Sequence, residues 1–211
     1  MLNTAVVFVG GDAVNPTLIE ELPERRWVVA ADSGLDHATR MGVRVDLMVG
    51  DLDSVSPAAL SNYQGPIERH PEDKDATDFE LALDQAIAHP NIDRLIVVGG
   101  HGGRLDHLLA NAAVVASPRF AAVDVEWIAG TTRVHVIRHH CELHGAPGEV
   151  VSLLAVGGDA TGVTTSGLRW PLSNDTLEQG SARGVSNEFS KPVASVQLSA
   201  GCVLSIQPDA M

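Results

Sequence analysis

Aromatic residues make up only 4% of this 211-residue chain, and cysteine occurs twice. Cys141 and Cys202 form no CxxC pair and cannot build a disulfide framework, so a cytoplasmic, reducing setting is expected. Basic residues are scarce: 14 Lys and Arg stand against 27 Asp and Glu, a formal net charge of −13. That field repels a nucleic-acid backbone, so no DNA or RNA partner is expected. It repels a free nucleotide as well, and any phosphate chemistry here needs a divalent cation and a few well-placed basic side chains. Long hydrophobic runs are missing too. Ala5-Val6-Val7-Phe8-Val9 is too short to cross a bilayer and lacks a basic leader, so no membrane segment is expected. The absence of GxxxxGK[ST] excludes a P-loop enzyme. The absence of GxGxxG after the first strand-like run argues against a dinucleotide oxidoreductase.

What remains is a chain with 45% hydrophobic residues, long enough for one large domain or two small ones. The first half alternates strand-like and helix-like segments. Strands are predicted at Ala5–Val9, Trp27–Ala31, Asp46–Val49, Leu95–Val98 and Val123–Ile128. Helices are predicted at Pro16–Leu22, Ser33–Met41, around Phe79, Leu83, Ala86 and Ile87, and from Leu105 to Ala116. Such alternation implies a parallel sheet with covered faces and a ligand site beyond the carboxyl ends of its strands. After Gly130-Thr131 helical periodicity stops. Val134 and Val136, then Cys202, Leu204 and Ile206, alternate with polar neighbours as half-buried strands do. The expected architecture is α/β plus β: a parallel-sheet domain over residues 1–130, then a small antiparallel β-sandwich over 131–211.

Four polar clusters fall where the strands of the parallel sheet should end or a helix should open. They are Ala31-Asp32-Ser33-Gly34, Gly50-Asp51-Leu52-Asp53-Ser54, Lys74-Asp75-Ala76-Thr77-Asp78, and the Gly-rich Gly99 to His107. Singly, each has a structural reading. Asp32-Ser33-Gly34 can cap a helix, Thr77 and Glu80 have capping-box spacing, and the glycines can serve a tight turn. Asp51-Leu52-Asp53 is different, because two carboxylates so close repel each other unless a cation sits between them. Oxygen-only ligands of that kind suit Mg²⁺, which takes its remaining ligands from water and phosphate. The convergence of all four clusters on one sheet edge points to metal-assisted phosphate chemistry. The DxDxV pattern of Asp51 to Val55 also occurs in haloacid-dehalogenase phosphatases, but there it follows the first strand, and here the third.

These clusters, in this order, resemble the thiamine pyrophosphokinase family. Its ADxG turn, GDxDS loop, DxTDxxxAL helix start and GGxGGRxDH loop are matched at Ala31 to Gly34, Gly50 to Ser54, Asp75 to Leu83 and Gly99 to His107. Further on, Gly167-Leu168-Arg169-Trp170 resembles the family's GL(K/R)W segment, and Ser186-Asn187 its SN motif. The ADSG turn continues with Leu35-Asp36 where many relatives carry Ala-Asn, so no role is carried over to Asp36. The resemblance implies a Rossmann-like first domain, a β-sandwich second domain, and a homodimer with its active site near the subunit interface. It implies ATP and thiamine as substrates, thiamine diphosphate and AMP as products, and Mg²⁺. By position it assigns catalysis to Asp51, Asp53, Asp75, Asp78 and Asp106, with Asp51, Asp53 and Asp78 around the metal. ATP contacts fall on Asp32, Ser33, Gly34, Lys74, Gly102, Gly103, Arg104 and His107, and thiamine contacts on Trp170, Ser186 and Asn187. The proton acceptor is left open between Asp106 and a metal-bound network. Two rival readings remain: a kinase of the same fold acting on another hydroxymethyl heterocycle, and a non-catalytic sensor. His139-His140-Cys141-Glu142-Leu143-His144 suggests zinc, but nothing downstream completes such a site, and a solvated turn is expected there.

Overall fold

The structure is a computed structural model that describes residues 3–208 and 210. The chain divides into two compact units. One comprises the chain up to Val114 together with Trp127–Gly130, the other Val115–Glu126 together with the chain from Thr131 on.

In chain order the strands are β1 (Thr4–Phe8), β2 (Trp27–Ala31), β3 (Leu47–Gly50), β4 (Ile67–Arg69), β5 (Arg94–Val98), β6 (Asp124–Ala129), β7 (Thr132–Ile137), β8 (His140–His144), β9 (Val150–Ala155), β10 (Ala160–Ser166), β11 (Asp175–Leu177), β12 (Asn187–Glu188), β13 (Val193–Gln197) and β14 (Val203–Gln207). The α-helices are α1 (Gly34–Arg40), α2 (Pro57–Asn62), α3 (Asp78–Ala88) and α4 (Leu105–Val115). The predicted helix at Pro16–Leu22 is a 3-10 turn over Pro16–Glu20.

In the first unit the strands run parallel in the order β5-β1-β2-β3-β4. All five residues of β1 are buried, as a parallel strand covered on both faces requires, hence the apolar run Ala5–Phe8 after Thr4. From β1 the chain steps outward to β4, then returns to the other side of β1 as β5. The strand order therefore reverses between β1 and β5, and a crevice opens at the carboxyl ends there. Helix α3 buries Phe79, Ala82, Leu83 and Ala86, the stripe its periodicity predicts. Its N-cap is Thr77, whose Oγ1 accepts the Glu80 N–H at 3.2 Å. Ser56 caps α2 in the same manner, with Pro57 inside the first turn. Neither α2 nor β4 is evident from sequence. Both are short, and β4 is an edge strand with little apolar content to mark it.

The second unit is a sandwich of antiparallel strands. One layer contains β7-β14-β9-β12 and the other β11-β10-β13-β8. Ile137, Leu143, Val151, Leu153, Val163, Phe189, Val196 and Val203 form the core between them. The turn expected at His139–His144 is instead strand β8, paired with β13 from His140↔Gln197 to His144↔Val193. Leu143 points into the core while His140, Glu142 and His144 are exposed, a period-2 alternation that burial of a single leucine suffices to set.

Candidate functional site

The carboxyl edge of the parallel sheet carries an acidic cluster assembled from three segments. Asp32 follows β2, Asp51 follows β3, and Asp78 opens α3; one carboxylate oxygen from each lies within 4.8 Å of the others. The backbone is shaped to allow it. Asp32 (φ 43°) and Leu52 (φ 74°) both adopt the left-handed conformation that non-glycine residues avoid. They support each other: the Leu52 N–H donates to Asp32 Oδ1 at 3.1 Å, and the Asp32 N–H to the Val49 carbonyl at 3.1 Å. Gly50 (φ 143°) is required between them, because a Cβ there would meet Asp32 Oδ1 at 2.0 Å.

Lys74 reaches into the cluster. Its Nζ lies 3.2 Å from Asp51 Oδ2, 3.1 Å from Asp78 Oδ2 and 3.0 Å from the Pro71 carbonyl. Burial pushes the Asp32 carboxyl up to about 7, helped by the charges of Asp78 and Asp51 and opposed by the Leu52 N–H. Asp51 is held below the usual range by the Asp53 N–H, which donates to its Oδ1 at 3.1 Å, and by Lys74. Burial works against the Lys74 charge, but its bonds to Asp78 and Asp51 outweigh that and raise its pKa. Asp53 is exposed, its pKa raised first by the Asp51 charge. The group that the structure brings together thus contains Asp32 in the place the sequence reading gave to Asp53. The left-handed turn at Leu52 places Asp51 in the cluster, whereas Asp53 stands beside it in solvent.

The donor set fits a hard divalent cation. All three groups are half-buried carboxylates, and Asp78 Oδ1 is buried without a hydrogen-bond partner in the protein. Such an orphaned anionic oxygen is costly unless a cation completes it. Asp75, by contrast, is exposed on the turn before Thr77.

At the crevice between β1 and β5 the Gly-rich loop is half fixed and half open. Trp127 Nε1 donates to the Gly99 carbonyl at 2.7 Å and Asn111 Nδ2 to the Gly100 carbonyl at 3.0 Å. The Gly100 N–H reaches the Gly10 carbonyl at 2.7 Å, and the Asp12 N–H the His101 carbonyl at 2.8 Å. Gly103 is open on its Cβ side, and Gly102, Gly103, Arg104 and His107 are all exposed. Arg104 forks onto Asp106, with Nε 3.1 Å from Oδ1, and this bond takes the Asp106 carboxyl down to about 2. Arg104 and Asp106 therefore neutralise each other, and Asp106 is not among the carboxylates grouped with Asp32, Asp51 and Asp78.

Beside that group lies an open cleft of about 420 Å³, walled by Gly11, Ser33, His37, Arg40, Ser54 and Ser56 among others. His37 is buried, which lowers its pKa, and the Arg40 charge lowers it further. Asp36, for which no role was carried over, accepts the Ser56 N–H at 3.1 Å and so ties the start of α2 to α1. Sequence reasoning missed Gly10, Gly11, Asp12, His37, Arg40 and Ser56. The Gly10-Gly11 pair after the first strand was the available signal, since only close backbone approach needs two glycines there.

In the second unit Trp170 is 52% exposed, with the Arg169 guanidinium 4.6 Å from its ring centre. Its backbone is gripped by Asn187: the Trp170 N–H donates to Oδ1 at 3.1 Å and Nδ2 donates to the Trp170 carbonyl at 2.8 Å. Asn187 is buried, and its Oδ1 also accepts the Glu188 N–H at 2.9 Å, so both ends of its amide are engaged within the protein. Arg169 pairs with Glu188 at 2.8 Å. Ser186 is exposed in a left-handed conformation (φ 58°), its N–H bonded to Ser152 Oγ at 3.0 Å.

Comparison with known proteins agrees with this layout. Residues 19–126 match the thiamin pyrophosphokinase catalytic domain, and residues 134–203 the thiamin pyrophosphokinase vitamin B1 binding domain. Thiamine pyrophosphokinase 1 of Oryza sativa subsp. japonica is 27% identical over 161 residues, 70% of this chain and 60% of that protein. The chain thus spans about 60% of the length of the plant relatives it matches, such as this one. Thiamine pyrophosphokinase of Bacillus subtilis (strain 168) is 22% identical over 98% of this chain and 99% of its own. The crystal structure of thiamine pyrophosphokinase from Bacillus subtilis superposes with a TM-score of 0.85 at 21% identity, covering 97% of this chain and 98% of that one. That from Geobacillus thermodenitrificans gives 0.82 at 24% identity, covering 97% and 96%. With both of the family's domains matched in order along most of its length, the chain belongs to the thiamine pyrophosphokinase family.

Proposed function

We propose that the protein transfers the pyrophosphoryl group of ATP to the hydroxyl of thiamine, giving thiamine diphosphate and AMP, with Mg²⁺ as cofactor. The observation that carries this reading is the Asp32, Asp51 and Asp78 group with its unpartnered Asp78 oxygen. These three carboxylates would hold the ion. A bound Mg²⁺ neutralises charge on the polyphosphate oxygens. The hydroxyl oxygen bonds to the β-phosphorus and releases its proton, the bond from that phosphorus to the oxygen bridging it to the α-phosphorus breaks, and AMP leaves with that oxygen. The protein's own part is position and electrostatics. The cleft between Gly11 and Ser56 offers the nucleotide a polar wall with Arg40 on it, and Gly102, Gly103 and Arg104 present an open loop at the start of α4. Trp170 offers a half-exposed aromatic face, already paired with one cation, to the cationic ring of thiamine.

A homodimer is part of the same proposal. Leu105 and Leu109, one turn apart on α4, are 67% and 62% exposed, and a helix with so apolar a face gains by pairing with a second copy. Two free cysteines support a cytoplasmic setting, and no helix of the described residues is long and apolar enough to cross a membrane. The test is incubation with ATP, Mg²⁺ and thiamine. Thiamine diphosphate and AMP are expected in equal amounts. Production of ADP, or binding of thiamine without turnover, would overturn the reading.

A further inference from the structure

We propose that Lys74 and the divalent cation compete for Asp51, and that the ammonium so displaced is the group that meets the nucleotide's phosphates. The inference rests on the metal-assisted reading above. An ammonium has three N–H donors, and Lys74 spends all of them on Asp51, Asp78 and the Pro71 carbonyl. Its side chain is only 13% exposed, so this is a built contact and not a loose surface pair.

The oxygens of Asp51 leave little choice. Oδ1 takes the Asp53 N–H and Oδ2 takes Lys74, so a cation drawing on Asp51 must share an oxygen with one of the two. The N–H belongs to the strained backbone of the Asp51–Asp53 turn and cannot withdraw. Lys74 can, on a flexible four-carbon stem. Sharing is unfavourable: a divalent ion at about 2 Å from the oxygen and an ammonium at 3.2 Å would set two positive charges against each other across one atom. The exchange also suits the charge count, since one ammonium cannot neutralise the carboxylates of Asp51 and Asp78 together. Thr77, the N-cap of α3, fixes the chain three residues after Lys74, so the displaced ammonium stays near the cluster.

The test uses Mn²⁺ as the metal probe, since it takes the same oxygen donors, and α,β-methylene ATP as the nucleotide probe. Mn²⁺ binding is read by electron paramagnetic resonance on the whole protein, without turnover. Lys74→Met should tighten Mn²⁺ by about ten-fold and weaken the analogue in the presence of Mn²⁺. Lys74→Gln should move both quantities the same way, which guards against a packing artefact of either side chain, and circular dichroism confirms that each variant is folded. A merely structural lysine would weaken both ligands. Unchanged or weaker Mn²⁺ binding in the variants, with the wild type binding well, overturns the exchange alone. An analogue that binds tighter along with the metal overturns the hand-over to phosphate. No Mn²⁺ binding by any of the proteins overturns the metal-assisted reading and this inference with it.

Discussion

Asp78 has two different oxygens. Oδ2 meets Lys74 at 3.1 Å, while Oδ1 is buried and unpartnered. Replacing it by Asn keeps the shape and removes the charge, so the fold should persist while transition-state stabilisation is lost. Asp78→Asn and Asp51→Asn should each cost at least about a thousand-fold in rate, roughly 4 kcal/mol. Asp53→Asn should cost far less, about ten-fold, because its carboxylate stands in solvent beside the group. Steady-state rates at saturating Mg²⁺ check the order. Equal losses at positions 51 and 53 would return Asp53 to the ligand set.

At the scale of the element, strand β12 fixes what the segment before it presents. Asn187 is its first residue, and the amide clamps both backbone groups of Trp170. Truncating Trp170 removes a half-exposed ring, so Trp170→Ala should change the melting temperature little. It should raise the thiamine KM about thirty-fold, the loss of a cation–π contact worth about 2 kcal/mol. Asn187→Ala removes the partner of the part-buried Trp170 N–H and carbonyl and of the Glu188 N–H, which should lower stability by about 1–3 kcal/mol and raise the thiamine KM as well. The ATP KM should stay near wild type in both. Melting curves and both KM values on the two variants decide it. A thiamine KM untouched by loss of Trp170 would remove the ring from the site.

At the scale of the whole molecule, a net charge of −13 favours separate, soluble particles, while the exposed Leu105 and Leu109 on α4 favour pairing. On the proposed homodimer, apolar burial at these two leucines should outweigh the diffuse repulsion at physiological salt, where charges more than about 8 Å apart are screened. Analytical ultracentrifugation should find a dimer for the wild type and a monomer for the double variant Leu105→Glu, Leu109→Glu. A wild-type monomer at micromolar concentration, or a variant that still dimerises, would place the contact elsewhere or abolish it.

Sequence by itself determined the alternation of strands and helices, the change to antiparallel strands near residue 130, and the polar clusters at the strand ends. Those features follow from period and composition: β1 is apolar from Ala5 to Phe8 because it is covered on both faces, and α3 must repeat its apolar residues every three or four positions. The short elements α2 and β4 were illegible because each has too few residues to show a period. So was strand β8, whose single buried leucine lies among solvent-facing histidines and an acid. Membership of the carboxylate group was decided only in three dimensions. Asp53 is as acidic as Asp51 and two residues away, but a left-handed backbone at Leu52 and a hydrogen bond from its amide to Asp32 turn one inward and leave the other in water. The pairing of Gly10 and Asp12 with the Gly-rich loop was likewise invisible along the chain. It arises because strand order reverses between β1 and β5, which brings together two loops some 90 residues apart in sequence.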